Sequence, residues 1–340
     1  MEIAGDAIPV AAHDTSAAGE VRRHAVRVAQ ALAFDETAAG RAAILATEAA
    51  TNLAKHATAG GVVFIRSVER GGVAGLELLA VDAGPGMDDV GRALRDGHST
   101  AGTPGTGLGA LRRQSDEFEL FTLPGRGTVV LCRLWPTPPA VSAVPPLTVG
   151  AVNVPKAGEV VCGDSWAVVE SPGRTMAMVA DGLGHGPDAA AASREAARIF
   201  ARHGGESPAE LLRRMHASMR HTRGAAVAIA DVSTAGGRVR FAGVGNISAA
   251  VVSPGGSQSM VSHNGIVGHE VRKVQEFEYP WVRASLLVMH SDGVGTRWEL
   301  GRYPGLQTRD PAVVAAVIYR DFVRGTDDAT VLAAREPVPA

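Results

Sequence analysis

The chain has few cysteines and almost no imbalance of charge. Cys132 and Cys162 are the only two among 340 residues, and both stand in apolar, strand-like runs. A disulfide framework is therefore excluded as the basis of the fold, and two buried structural thiols in a reducing cytosol are expected. The 33 basic and 35 acidic residues leave a formal charge of −2, so no broad basic field attracts nucleic acid or an anionic membrane. No run approaches the ~18 consecutive apolar residues of a membrane span. Glu2 and Asp6 also break the basic-then-apolar pattern of an export signal. A soluble, cytoplasmic protein is expected.

What is present is an ordinary globular composition, with 46% hydrophobic and 20% charged residues. At ~150 residues per domain the length suggests two domains. The segment 136–146, PTPPAVSAVPP, holds five prolines in eleven positions, which blocks helix and central strand alike and marks the boundary. In extended form such a connector spans roughly 35 Å. Domains are expected over 10–135 and 147–335. In the first, Val21, Ala25, Val28, Ala29 and Leu32 recur at helical spacing, a second helix follows Asp35 to about His56, and β-rich runs cover 62–69 and 76–84. A glycine-rich loop then leads to the strands EFELFTL and TVVLCRLW. In the second, strands at VVCGDSWAVVE and TMAMVAD precede helices at about 187–203 and 208–221 and further strands to SLLVMHSDG. Both halves read as layered α/β folds, and no internal repeat is seen.

Polar residues interrupt the apolar second helix. Glu48 and Asn52 stack on one face, with Lys55 and His56 a turn beyond, and such a patch either lines a cavity or is a solvated face. The strand 76–81 ends in Asp82-Ala-Gly84-Pro-Gly86, an acceptor carboxylate followed by glycines that permit close backbone approach, or simply a turn. Farther on, Gly102, Gly105, Thr106, Gly107, Leu108 and Gly109 run from a flexible loop into a helix start, where backbone N–H groups favour phosphate.

These three elements, in this order, resemble the ATP-binding domain shared by gyrase, Hsp90, histidine kinases and MutL (GHKL). Because ExxxN stands in place of NxxxN, the likeness is greatest to the RsbT-like anti-sigma-factor serine kinases. The resemblance implies that Asn52 binds magnesium, Asp82 the adenine amino group, Gly84 and Gly86 the nucleotide wall, and the segment Gly105, Thr106, Gly107, Leu108 and Gly109 the phosphates of ATP. It places Glu48 as general base, and a carboxylate there suits the removal of a serine hydroxyl proton.

Beyond the connector, Asp164, Asp181, Asp292 and the pair Asp327-Asp328 each lie at the end of an apolar strand. Singly, each is accounted for as a turn former. Together they make an oxygen-only donor set suited to magnesium or manganese. The set DS, DGLGHG, SDGVG and DDAT resembles the PPM-type serine/threonine phosphatases of the SpoIIE/RsbX branch, an α-β-β-α sandwich. That likeness implies two ions bridged by Asp181, with Asp164 and the Gly182 carbonyl completing one site and Asp292 with Asp327, or the adjacent Asp328, the other. His185 is expected to be structural or solvent-facing, and no counterpart of a phosphate-holding arginine is identified.

The two resemblances imply opposed activities, an ATP-dependent serine/threonine kinase and a metal-dependent phosphatase, acting on STAS-domain antagonist or stressosome scaffold proteins in a sigma-factor partner switch. The alternative is a phosphatase whose N-terminal domain is a non-catalytic module binding a sigma factor or scaffold.

Overall fold

Asp35 starts the helix that carries the first polar patch. Its carboxylate accepts the N–H of Ala38 at 2.7 Å, capping the helix Glu36–His56 where an orphan donor would otherwise lie. The computed structural model describes residues 2–3, 8–12, 14, 16–57, 60–94, 107–139 and 145–337. These divide into two units, one formed by 5–143 with 300–321, the other by 1–4, 144–299 and 322–340. The first strand, β1 (Glu2–Ile3), belongs to the latter.

In the first unit, β2 (Ile8–Ala12), β3 (Gly61–Arg70), β4 (Val73–Asp82), β5 (Glu117–Thr122) and β6 (Thr128–Leu134) form an antiparallel sheet in the order β2-β3-β4-β6-β5. Two short helices, α3 (Val90–Ala93) and α4 (Gly107–Gln114), lie between β4 and β5 in the chain. Strand alternation turns Val63, Ile65, Leu76, Leu78, Val130 and Cys132 to one face. There they pack against Val21, Ala25, Leu45, Ala49 and Leu53 of α1 (Ala17–Ala31) and α2 (Glu36–His56). Small alanines on the helices let them sit close to the sheet.

The opposite face carries charge. Register sets Arg66 across from Glu77, Glu77 across from Arg133 and Arg133 across from Glu117. Arg66 Nε donates to Glu77 Oε1 at 2.7 Å and Arg133 Nε to Glu77 Oε2 at 2.8 Å. Burial alone would raise the Glu77 pKa, but the two guanidinium groups outweigh it and hold the carboxyl below its usual range. The remaining fork of Arg133 binds Asp310 at 2.7 and 3.0 Å, and the Asp310 N–H donates to Glu119 Oε2 at 3.0 Å. Tyr319 meets Phe64 edge-on at 5.7 Å, and Arg126 lies over the Tyr303 ring at 5.1 Å. Residues 300–321 thus pack with the N-terminal unit. The reason is chemical. A row of charged residues buried on a sheet needs a further carboxylate, and the chain supplies it 177 positions away.

In the second unit, two sheets face each other. One has the order β1-β8-β9-β10-β11-β16, comprising β8 (Asp164–Ser171), β9 (Arg174–Gly182), β10 (Ala225–Ser233), β11 (Arg238–Val244) and β16 (Phe277–Pro280) after β1. The other runs β13-β12-β17-β18-β7, from β12 (Ser248–Ser253), β13 (Gly256–Ser259), β17 (Leu286–His290), β18 (Ala329–Arg335) and β7 (Thr148–Val154). A two-residue ribbon pairs β14 (Gly265–Ile266) with β15 (Glu270–Val271). Trp166, Val179, Ala228 and Phe241 from the first sheet meet Val251, Leu287, Met289 and Leu332 from the second. The outer face of the first sheet is covered by α5 (Pro187–Arg202) and α6 (Pro208–Ser218), whose Phe200, Leu212 and Met215 pack on Met176, Met178 and Ile229. The last helix, α7 (Pro311–Phe322), lies in the segment that packs with the first unit.

Both cysteines are buried and unpaired, and burial pushes the Cys132 thiol up to about 12, so it packs as an apolar group. Glu77→Ala leaves Arg66 and Arg133 without the carboxylate between them, and should lower the unfolding free energy by about 3–5 kcal/mol in a urea titration. Because the folded-state pKa of Glu77 is depressed, its contribution is present at neutral pH. It is lost as pH falls through and below the ordinary carboxylate range, and the variant should show a flatter acid limb.

Candidate active sites

The first site is built where α2 meets the start of α4. Asn52 sits one turn beyond the half-buried Glu48, and its Nδ2 is buried with no hydrogen-bond partner among the described residues. A Cβ at Gly107 would stand 2.6 Å from Asn52 Oδ1, so the helix begins closely against that amide. Leu108 is half-buried against the core and Gly109 is buried. The expected phosphate-binding residues Gly105 and Thr106, with Gly102, lie outside the described residues.

Asp82 closes β4. Its Oδ1 accepts the Gly84 N–H at 2.7 Å, and burial raises its pKa against the lowering effects of that bond and of Arg320. Its backbone carbonyl accepts Arg320 Nη1 at 3.4 Å. The glycines after it have a packing reason of their own. A Cβ on Gly84 would lie 2.8 Å from Asp82 Oδ1, and Gly86, at φ 67°, would drive one to 2.1 Å from the Leu123 carbonyl. The orphaned Asn52 amide beside a helix N-terminus, with a carboxylate at a neighbouring strand end, suits a magnesium–nucleotide complex. A separate cavity of about 350 Å³ along β5, lined by Val90, Leu94, Phe118 and Glu119 among others, contains none of these residues.

The second site lies at one end of the two facing sheets. Register pairs Asp164, first residue of β8, with Asp181 near the end of β9. Asp292 follows β17 by two residues, and Asp327 and Asp328 precede β18. Glycines allow this convergence: a Cβ on Gly163 would stand 2.5 Å from Asp328 Oδ2, on Gly182 2.0 Å from the Ala189 carbonyl, and on Gly293 2.0 Å from the Asp328 carbonyl.

Among the described residues Asp164 is 2% exposed and neither of its carboxylate oxygens has a partner of normal geometry, and Asp328 Oδ2 is likewise orphaned. The Ser291 and Thr330 hydroxyls lower the Asp164 pKa, but burial and the neighbouring Asp328 and Asp292 outweigh them and push it up to about 7. Burial, then Asp164, Asp292, Asp327 and Asp328, push Asp181 up to about 9. Asp292 is raised by burial and by Asp327. Among the described residues no three His, Cys, Asp or Glu side chains already close into a cage. The orphaned buried oxygens are the donors a divalent ion would use.

The two adjacent aspartates have different surroundings. Asp328 is buried and its Oδ1 accepts the Lys156 N–H at 2.9 Å, whereas the half-buried Asp327 accepts the Asp328 N–H. Since Asp327 is the carboxylate that raises Asp292, the electrostatics pair those two and leave Asp328 nearer Asp164. His185 is exposed and its Nδ1 lies 2.7 Å from Glu159 Oε1, tying down the loop after Asp181. Sequence reasoning missed Asn246, whose Nδ2 donates to Asp292 Oδ2 at 2.7 Å, and Asn153, which donates to Thr330 Oγ1 at 2.7 Å. Only the glycine before Asn246 hinted at a turn there.

Comparisons with known proteins match the two halves of the chain to two families. Residues 11–134 match the histidine kinase-like ATPase domain family, and residues 171–337 the stage II sporulation protein E (SpoIIE) family. Over 75 residues, 22% of this chain, the sequence is 39% identical to serine/threonine-protein kinase RsbT of Bacillus subtilis (strain 168), covering 56% of that protein. Over 140 residues, 41% of this chain, it is 24% identical to phosphoserine phosphatase RsbX of the same organism, covering 70% of it. The match thus spans little more than half the length of RsbT. A chain solved in a study of the bacterial stressosome, a modular system adapted to control secondary messenger signalling, is 28% identical with a TM-score of 0.53, over 56% of this chain and 99% of that one.

The raised carboxylates carry a pH prediction. A folded-state pKa above the unfolded value contributes stability at low pH that is lost as pH rises, here between the ordinary aspartate value of 3.8 and about 9. The melting temperature of the metal-free protein should therefore fall from pH 5 to pH 9, and Asp181→Asn should flatten that slope. For the first site, Asn52→Ala should abolish magnesium-dependent ATP binding in isothermal titration.

Proposed function

We propose that this chain, which joins a histidine kinase-like ATPase domain to a SpoIIE, PPM-type serine/threonine phosphatase domain, writes and erases phosphate on a serine or threonine of STAS-domain antagonist proteins in a partner-switching pathway. The observation that carries the phosphatase half is the gathering of Asp164, Asp181, Asp292, Asp327 and Asp328 at one sheet end, with both Asp164 oxygens buried and unpartnered. Asp181, the Gly182 carbonyl and Asp164 would hold one divalent ion, and Asp181, Asp292 and Asp327 the other. When bound, two such ions supply an activated water and a clamp on a phosphoryl oxygen. Asn246 holds the Asp292 carboxylate in place through its 2.7 Å bond.

In the kinase half, Asp82 would accept the adenine amino group, and Asn52, with its buried amide, would meet magnesium and the phosphates of ATP. Gly105 to Gly109 would wrap the phosphates. Glu48 would take the hydroxyl proton of the incoming serine, a step typically worth roughly 10²–10⁴ in rate. The likeness to RsbT and RsbX supports a shared substrate pool, with STAS or stressosome scaffold proteins as partners and the cytoplasm as the compartment. No helix among the described residues is long and apolar enough to cross a membrane.

The test incubates wild type, Glu48→Ala and Asp181→Asn with a STAS-domain partner, ATP and manganese, and follows phosphoserine by mass spectrometry. More phosphate with Asp181→Asn and less with Glu48→Ala, at one residue, is expected. Equal phosphate in Glu48→Ala and wild type would favour a non-catalytic N-terminal module. Effects at different residues would separate the two activities into different pathways.

A further inference from the structure

Resting on the phosphatase reading, we propose that Asn153 is a positioning residue of the carboxylate centre. Its buried amide joins the two facing sheets at the end where the aspartates gather, and so sets the spacing of the ion ligands without being one of them. The placement follows from register. Asn153 in β7 is the cross-strand partner of Thr330 in β18, two residues after Asp328. Its Nδ2 donates to Thr330 Oγ1 at 2.7 Å and, more weakly, to the backbone carbonyl of Asp164 at 3.4 Å. β7 and β18 belong to one sheet and Asp164 heads β8 of the other, so the two hydrogens of a single amide hold ligand-bearing strands from both layers.

Thr330 extends the joint to a third strand. Ser291 N–H donates to the Thr330 carbonyl at 3.0 Å, and Thr330 N–H donates to Ser291 Oγ at 2.9 Å. The hydroxyl stands in for the carbonyl of a regular ladder, and the Ser291 carbonyl instead accepts His290 Nδ1–H at 2.8 Å. Pairing of β17 ends there, and the chain turns into Asp292. Asn153, Thr330 and Ser291 thus tie together the segments that carry Asp164, Asp292 and the pair Asp327-Asp328. Packing alone gives no reason for polar side chains here. Strand alternation turns the paired Ala151 and Leu332 into the apolar core between the sheets, and Asn153 and Thr330 hold the next inward position. Asn153 is 4% exposed and Thr330 and Ser291 are fully buried. An apolar pair would fill that position with no polar group to satisfy. The polar pair is accounted for by the ligand segments it fixes.

The test uses full-length wild type, Asn153→Leu, Thr330→Val, Thr330→Ser and the double variant Asn153→Leu with Thr330→Val. Equilibrium dialysis without substrate gives manganese affinity, urea unfolding of the metal-free protein gives stability, and turnover of a phosphoserine peptide is followed at saturating manganese. Asn153→Leu and Thr330→Val each leave a buried partner unmatched, so both should lower the unfolding midpoint and raise the manganese Kd about tenfold. The double variant separates positioning from packing, and does so even where a single variant fails to fold. With both polar partners replaced by apolar groups, the unfolding midpoint should return toward wild type while the manganese Kd stays about tenfold raised. Thr330→Ser keeps the hydroxyl and should bind manganese within about twofold of wild type. Wild-type manganese affinity in Asn153→Leu and Thr330→Val, or recovery of affinity together with stability in the double variant, would overturn the proposal. If wild type binds manganese in an Asn153-dependent way yet hydrolyses no phosphopeptide, the positioning role stands and the phosphatase reading fails. No manganese on wild type overturns both.

Discussion

Carboxylates that cannot all be charged at once dominate this molecule. Asp164 and Asp181 face each other across a strand pair, Asp292 and Asp327 close in from the second sheet, and water is excluded from the first of them. Burial first, and then the neighbouring carboxylates, raise their pKa values to about 7 and about 9. The proposed function gives this arrangement, kept at the expense of stability near neutral pH, a reason: a cation that the carboxylates would hold. The glycines at 163, 182 and 293 serve the same end, since each would place a Cβ within 2.5 Å of the backbone or carboxylate it packs against.

The other buried charge arrangement solves the opposite problem. Arg66, Glu77, Arg133 and Asp310 alternate in sign, so each charge is compensated by protein and no ligand is required. Glu77 is accordingly driven below its usual pKa, whereas the uncompensated aspartates are driven above theirs. The contrast separates a structural polar network from a binding centre more clearly than burial does, since both sets are inside the protein.

Much of this was legible in the sequence because it is local. Asp35 as a cap, the 21-residue helix to His56 and the strands flanking it follow from capping and periodicity. The strand-end aspartates were visible as a set, and their residue type pointed to hard metal ions before any geometry was known. What was not legible depends on distant partners. Asp310 has no local signature that would assign it to Arg133, and Asn246 becomes meaningful only when β12 and β17 pair and bring it to Asp292. Gly84 and Gly86 illustrate a third case. Their sequence reading as ligand-facing glycines is only part of the account, because the Asp82 carboxylate at Gly84 and the Leu123 carbonyl at Gly86 already crowd a side chain there.

The most direct test of this account counts manganese ions per chain by equilibrium dialysis with elemental analysis, in wild type and in Asp181→Asn. The shared-ligand arrangement predicts two ions on wild type and weakened occupancy of both sites in Asp181→Asn, since that change removes a carboxylate common to the pair. An unchanged stoichiometry and affinity in Asp181→Asn, or no manganese on wild type, would contradict it.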